Sequence, residues 1–257
     1  MDVFREENRF AHRRELLFSD CDRNKNMKLS AILRLSGELA GHDLTDRGIP
    51  HQKLWDAGMV FLLTRIAVRI NKLPRELDEI TELTWEHSIK GAQFLRGYEI
   101  RDDKGEKLLD GISCWVLVNP QTRQILRPKE YKFGFTLDEW YPLNATMPTK
   151  IELDNPIYAG QRQIYYSDID ANGHCYNAVY GDIICDFAPP EVINAMEKDC
   201  IGAKGLRVNF IHEAVLGDKI DIYYQLSNDE NNTQGEKSCL FYGSIGGKRC
   251  FEAAIEL

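Results

Sequence analysis

The spacing of apolar positions changes several times along the chain and predicts alternating helices and strands. Helices are expected over Leu29–Ala40 and Asn177–Phe187. Over Lys107–Val118, apolar side chains recur at every second position from Ile112 onward. That period is typical of a strand with one buried face.

Other stretches rich in β-forming residues predict further strands, separated by glycine-containing turns. These strands are Ile80–Ser88, Phe94–Arg101, Leu206–His212, Lys219–Leu226, Lys237–Ser244 and Arg249–Glu256. Turns are expected at 102–105, 217–218 and 246–247, where Asp or Gly follows an apolar run. The stretch from Pro128 to Pro156 has no clear period and is predicted to be a linker.

A short segment occurs twice, at a constant offset of 148 positions. Residues 18–26 read FSDCDRNKN, and residues 166–174 read YSDIDANGH. A predicted helix and then predicted strands follow each copy, so the match extends to the order of the elements. The sequence therefore predicts an α+β protein of two similar halves, residues 1–140 and 141–257, each with a helix covering an antiparallel sheet.

Composition narrows the class of protein further. The chain is 43% apolar and 28% charged, and its formal net charge is −8, which disfavours a nucleic-acid partner. It contains neither a run of about 18 apolar residues nor an N-terminal signal-peptide pattern, so no membrane span is expected. Seven cysteines without a C-x-x-C pair disfavour a disulfide framework or a zinc site and favour the cytoplasm.

The second copy of the repeat carries groups suited to acyl-transfer chemistry. If the segment is extended, Asp170, Asn172 and His174 point to the same side. A helix start near Asn177 would offer free N–H groups to a developing oxyanion. In the first copy Asn26 replaces His174, so we expect one half alone to retain the chemistry.

Two other structures are compatible with residue types of this kind. The first is an Asx-rich turn leading into a helix, without chemistry. The second is a calcium loop, which is disfavoured because Val179 stands where a bidentate Glu is required. Cys175 adjoins His174, but neighbours in extended chain point to opposite sides, so a Cys–His pair is not expected.

The residues from 165 to 180 resemble the D-x-N-x-H…N…Y segment of acyl-acyl-carrier-protein thioesterases, a tandem hotdog family. The matching positions are Asp170, Asn172, His174, Asn177 and Tyr180. Stretches 54–65 and 113–123 resemble the N-terminal half of the same family, so the resemblance covers essentially the whole chain.

The resemblance implies two tandem hotdog domains, each an antiparallel sheet wrapped around a central helix. It implies catalytic roles for Asp170, Asn172 and His174, and Glu213 matches the family's acidic position. Ala214 stands where plant members have Cys, which removes a thiol nucleophile. No cofactor and no metal are implied, and the chain looks like a bacterial-type member.

The activity implied is hydrolysis of fatty acyl thioesters of acyl carrier protein. Asn177 and Tyr180 would bind substrate, together with Trp55 and Met59. The latter two belong to an apolar run that continues through 61–63 and is predicted to be a second helix of the first half. The same run also fits an ordinary core. Basic residues, Arg123 among them, could dock the acidic carrier.

Several alternatives remain open at this point. An acyl-CoA thioesterase of the same fold and a non-catalytic acyl-binding protein both fit the pattern. A hotdog dehydratase fits less well, because Gly173 is the only residue between Asn172 and His174. Two halves in one chain permit either a monomer or a homodimer.

Overall fold

A single antiparallel sheet runs through the computed structural model, which describes residues 2–197, 202–228 and 237–257. The first half contributes β1 (Asp2–Glu6), β2 (Arg9–Glu15), β3 (Val60–Ile70), β4 (Glu79–Lys90), β5 (Gln93–Arg101) and β6 (Lys107–Val118). The second half contributes β7 (Ile157–Gln163), β8 (Gly205–Phe210), β9 (Lys219–Asn228), β10 (Lys237–Ile245) and β11 (Lys248–Glu256). Within the described residues, the strand order is β1-β2-β4-β5-β6-β3-β8-β11-β10-β9-β7.

The two halves join where β3 pairs with β8. The register runs from Arg65 opposite Asn209 to Arg69 opposite Gly205. The first half therefore ends its sheet on β3, and the second half begins on β8. Because both strands also pair on their other edge, with β6 and β11, their backbone groups are satisfied on both sides.

Helices cover the apolar face of each half. They are α1 (Leu29–Asp46), α2 (His51–Asp56), α3 (Val179–Asp186) and α4 (Pro190–Glu197). Ile32 and Leu33 of α1 share one buried cluster with Ile66 of β3 and with Ile183 and Ile184 of α3. The cores of the two halves are thus continuous.

Most predicted strands are observed within one or two residues of their expected ends, but three predictions about helices need correction. The predicted second helix of the first half ends at Asp56, and residues 61–63 lie on β3. Both faces of β3 are buried, because Ile66 and Val68 belong to the core under the helices and Ala67 packs with residues of the linker. Its apolar run therefore lacks the alternation that marks a half-buried strand. Helix α1 continues to Asp46 rather than Ala40, and α3 begins at Val179 rather than Asn177.

Strands β1, β2, β3 and β7 and helix α4 were not predicted. β1 and β7 are the edge strands of the described sheet, and their exposed residues give no apolar period. The linker between Pro128 and Pro156 is mostly irregular, as expected, apart from a short 3-10 turn over Pro128–Glu130. The domain boundary at 140/141 stays a prediction.

A glycine allows the helices of the two halves to approach each other. A Cβ added to Gly181 of α3 would lie 2.6 Å from the backbone nitrogen of Ser30, at the start of α1. That distance is below any normal contact with carbon. The crossing of α1 and α3 therefore requires glycine at this position.

We expect Gly181→Ala to destabilise the protein by about 1–3 kcal/mol, the usual cost of overpacking a rigid contact. Gly37→Ala on α1 is the matched control, because a Cβ there meets nothing within 4 Å. Alanine in an open helix position stabilises by up to about 1 kcal/mol. Urea unfolding of both variants measures the difference, and equal midpoints would contradict this account of the helix crossing.

Candidate active site

The segment from Asp170 to His174 forms a closed turn rather than an extended strand. The Asp170 carboxylate accepts the backbone N–H groups of Asn172 (2.8 Å) and His174 (3.3 Å). Its own N–H donates to the His174 carbonyl oxygen at 2.9 Å, and Gly173 adopts a positive φ of 83°. The expectation that three side chains alternate onto one side is therefore wrong, and the Asx turn is the observed conformation.

The first half contains the same turn. The Asp22 carboxylate accepts the N–H groups of Asn24 (2.8 Å) and Asn26 (2.9 Å), and Lys25 takes the positive φ. The Asp22 N–H likewise donates to the Asn26 carbonyl at 2.8 Å. The repeated Asp thus has a local structural role in both halves, independent of any chemistry.

His174 meets a carboxylate from a distant part of the chain. Its Nε2 lies 3.3 Å from the Glu213 Oε2, in the loop that follows β8. The Arg123 guanidinium donates a hydrogen bond to the same Glu213 oxygen. All three side chains are partly exposed, and Arg123 comes from the first half.

Backbone contacts identify the counterparts of this pair in the first half. The Cys175 N–H donates to the Ala214 carbonyl, and the Met27 N–H donates to the Pro74 carbonyl. Glu213, which precedes Ala214, therefore corresponds to Leu73, and His174 corresponds to Asn26. A leucine and a buried asparagine stand where the second half has an acid and an imidazole.

A cavity of about 450 Å³ lies in the first half. Its described lining includes Ala40, Leu44, Leu54, Phe61, Phe94, Trp115 and Phe135, together with several polar side chains. The linker residue Phe135 stacks on Tyr131, with ring centroids 4.7 Å apart. The cavity is thus formed by α1, α2, four strands and part of the linker.

Two features connect this cavity with the histidine. Burial raises the pKa of Tyr176 to about 12, and the negative charge of Glu38 acts in the same direction. Glu38 belongs to α1 and lines the cavity. Phe61 also lines the cavity, four residues before Arg65, while Glu213 follows Asn209 by four. Because β3 and β8 are antiparallel, Phe61 and Glu213 lie toward the same end of their pairing.

The other sequence-predicted residues are placed differently. Asn172 is exposed and its amide nitrogen lies 3.4 Å from the Asp170 carboxylate, within the turn. Asn177 is half-buried just before α3. Tyr180 is buried in the continuous core of the two halves, with its ring against Phe210 and Phe251.

Trp55 and Met59, which were predicted to bind substrate, do not line the cavity in the described residues. Trp55 is 43% exposed, and Met59 is buried in a cluster that contains Phe94 and Tyr131. The described lining of the cavity includes their neighbours Leu54 and Phe61 but neither of these two. Contact of Trp55 or Met59 with a substrate stays a prediction.

Arg123 was expected on a docking surface, and its contact with Glu213 was missed. The clue available in the sequence was its place in the family-like stretch 113–123. In the described parts of the chain, no group of three or more His, Cys, Asp or Glu side chains is arranged to hold a metal ion.

Comparison with known proteins matches both halves to one family. The model of the acyl-ACP thioesterase N-terminal domain matches residues 7–131, and that of the C-terminal domain matches residues 158–255. A curated relative is the chloroplastic palmitoyl-acyl carrier protein thioesterase of Cuphea hookeriana, 25% identical over 158 residues. The match covers 56% of this chain and 37% of that relative, so well under half of the relative is represented.

Solved structures share the fold along nearly the whole chain. An acyl-ACP thioesterase from Bacteroides thetaiotaomicron superposes with a TM-score of 0.82 at 18% identity, covering 97% of each chain. The 12:0-ACP thioesterase from Umbellularia californica gives 0.73 at 15% identity, covering 96% of each. The predicted tandem hotdog fold is confirmed.

The chain combines a tandem hotdog fold with an apolar cavity in its first half and the contact of His174 with Glu213 in its second half. With both family models matched, the chain belongs to the acyl-ACP thioesterase family. None of the helices described has the length and hydropathy needed to cross a membrane.

The cysteine next to the histidine is buried. Burial raises the pKa of the Cys175 thiol to about 12, and the charge of Asp168 acts in the same direction. Near neutral pH the group is therefore a neutral thiol, and thiolate is the form that attacks electrophiles. A cysteine nucleophile at this position is chemically disfavoured.

We expect iodoacetamide to label Cys175 slowly in the folded protein at pH 8 and rapidly after unfolding in urea. The reason is that unfolding exposes the thiol and returns its pKa toward the ordinary value of about 8.5. Peptide mass spectrometry resolves this site from the other cysteines. Fast labelling of Cys175 in the folded state would revive a thiol mechanism.

Proposed function

We propose that this protein hydrolyses fatty acyl thioesters of acyl carrier protein to the free fatty acid and the carrier thiol. The observation that carries the proposal is the contact of His174 with Glu213, in a member of the acyl-ACP thioesterase family whose first half contains an apolar cavity. Its counterpart in the first half is Asn26 and Leu73, which cannot do acid–base chemistry. The second half is then catalytic, and the first half holds the acyl chain.

In the proposed mechanism Glu213 is the general base. Its carboxylate takes a proton from water while the water oxygen attacks the thioester carbonyl carbon. The carbon–sulfur bond then breaks, and His174 supplies a proton to the departing thiolate. Glu213 passes its proton to His174 across their 3.3 Å contact, which restores both groups.

Asp170 is assigned a positioning role. Its carboxylate already accepts N–H groups from Asn172 and His174, in the same way that Asp22 does in the half without chemistry. These bonds fix the backbone that carries His174. Asn172, exposed at the tip of the turn, is proposed to orient the substrate carbonyl or a neighbouring group.

Arg123 is proposed to orient Glu213. Its guanidinium hydrogen bond holds one carboxylate oxygen, which also faces His174. Such an exposed ion pair adds little stability, since surface pairs contribute about 0–1 kcal/mol. Its value lies in geometry, because a carboxylate must be held in place to accept a proton from bound water.

The acyl chain is proposed to lie in the cavity of the first half, where apolar side chains can replace its contact with water. The carrier protein supplies the thioester on its phosphopantetheine arm, and the cytoplasm is the proposed compartment. Six cysteines in the described residues are free, which fits a reducing environment. Both a monomer and a homodimer are compatible with this arrangement.

The test of the proposal is release of free thiol, followed with dithionitrobenzoate, from matched acyl-carrier and acyl-CoA substrates. His174→Ala and Glu213→Gln should each lower kcat by about 10²–10⁴-fold, the usual contribution of acid–base assistance. His212→Ala is the matched control, because this exposed neighbour of Glu213 has no part in the mechanism. Absence of turnover by the wild type on both substrates would reject the proposed function, and a preference for acyl-CoA would reassign its substrate.

The role of Asp170 is tested against its structural counterpart Asp22. Asp170→Ala and Asp22→Ala should each destabilise the protein by about 1 kcal/mol, because two N–H groups of the turn lose a charged acceptor and bind water instead. Asp170→Asn keeps an acceptor oxygen and should retain most of kcat, in contrast to Glu213→Gln. Collapse of kcat in a folded Asp170→Asn variant would make Asp170, rather than Glu213, the base.

A further inference from the structure

One end of the cavity is charged, in contrast to its apolar walls. Arg96 of β5 and Glu86 of β4 both line it. The Arg96 Nη1 lies 2.8 Å from the Asp43 Oδ2, and the Arg47 Nη1 lies 2.8 Å from the Glu86 Oε1. Arg96 and Asp43 are almost fully buried, so this is an internal ionic cluster rather than a solvated surface.

The order of the strands places this cluster far from His174. The sheet of the first half runs β3, β6, β5, β4 away from the junction with β8, which leads to Glu213. Phe61 on β3 and Glu86 on β4 are therefore three strand spacings apart, about 14 Å. The cavity crosses the sheet from the catalytic side to the charged side.

Helix α1 gives a second, independent measure of the same direction. The start of α1 at Ser30 lies against Gly181 of α3, the helix that follows the turn of His174. Asp43 and Arg47, which belong to the charged cluster, follow Ser30 by thirteen and seventeen residues, or about 20–26 Å along the helix axis. Both measures put Arg96 and Glu86 at the end of the cavity remote from the histidine.

Part of the linker closes this remote end. The Thr136 N–H donates to the Glu86 carboxylate at 2.7 Å, and the Asp138 N–H donates to the Glu86 carbonyl at 2.9 Å. The linker residues Phe135 and Leu137 line the cavity at this point. Glu86 therefore anchors the cover of the cavity and forms part of its charged wall.

Resting on the proposed function, we propose that the paired charges of Arg96 and Glu86 form the end stop of the acyl slot and set the longest chain accepted. Each methylene buried in the apolar part is favourable, but a methyl group pressed against ionic groups strips them of polar contacts and gains nothing. Arg96 and Arg47 balance Asp43 and Glu86, so the wall excludes an apolar chain without attracting an anion.

The first experiment uses the wild-type protein and a saturated acyl-carrier series from octanoyl to stearoyl. kcat/KM should rise about tenfold for each two-carbon step inside the apolar part. It should then fall once the chain reaches the charged wall, before stearoyl. A rise that continues through stearoyl would overturn the proposal while leaving the proposed function intact, whereas no hydrolysis of any member would reject the function itself.

The second experiment removes the stop. Arg96→Met takes away the charge, and each carboxylate keeps another partner, because Asp43 also pairs with Arg5 and Glu86 with Arg47. The preferred chain should lengthen by at least one two-carbon step, with about tenfold higher kcat/KM on that longer substrate. An unchanged preference in a folded Arg96→Met variant would overturn the proposal.

Matched variants separate charge from general damage. Arg101→Met alters the same strand at an arginine that pairs with Glu99 outside the described lining of the cavity, and it should keep the wild-type preference. Arg96→Lys keeps the positive charge and should also keep the wild-type preference for chain length. If Arg96→Met does not fold, Arg96→Gln, which can still donate to Asp43, replaces it with the same expected shift.

Discussion

The pairing of β3 with β8 is the contact on which the rest of the molecule depends. It turns two sheets into one and fixes the register of one half against the other, from Arg65 opposite Asn209 to Arg69 opposite Gly205. Phe61 of the cavity and Glu213 of the candidate site lie toward one end of the pairing because of that register. A slip of one residue would reverse the side on which every β8 side chain points.

The two halves keep the same local framework and differ at a few decisive positions. Asp22 and Asp170 close the same type of turn by accepting the N–H groups of the residues two and four positions later. The turn therefore uses an aspartate in both halves. The halves differ at Asn26 and its counterpart His174, where the turn uses only the backbone N–H group of the residue. A repeated architecture thus leaves one half free to form a cavity and the other to carry acid–base groups.

Local patterns in the sequence predicted local structure well. The strands of β4, β5 and β6 alternate or are bounded by turns, so their ends could be placed closely. β3 was not recognised because both of its faces are buried, so no polar face reveals its period. Helix α1 continues beyond its predicted end into the residues that line the cavity, a role that depends on tertiary packing.

The candidate site was predictable only in part, for a related reason. The turn that carries His174 is contiguous in the sequence, and its residues could be recognised together. Arg123 and Glu213 are 90 positions apart and touch only through the joined sheet. Glu213 was found through the family resemblance, and Arg123 was given another role, since no one-dimensional spacing encodes a contact between halves.

The covalent link between the halves has a consequence for behaviour at low abundance. If each half were a separate subunit, the contact between Arg123 and Glu213 would form only after association and would weaken on dilution. Tethering replaces that encounter by a fixed effective concentration within one molecule. This inter-half contact is therefore independent of how many copies the cell makes.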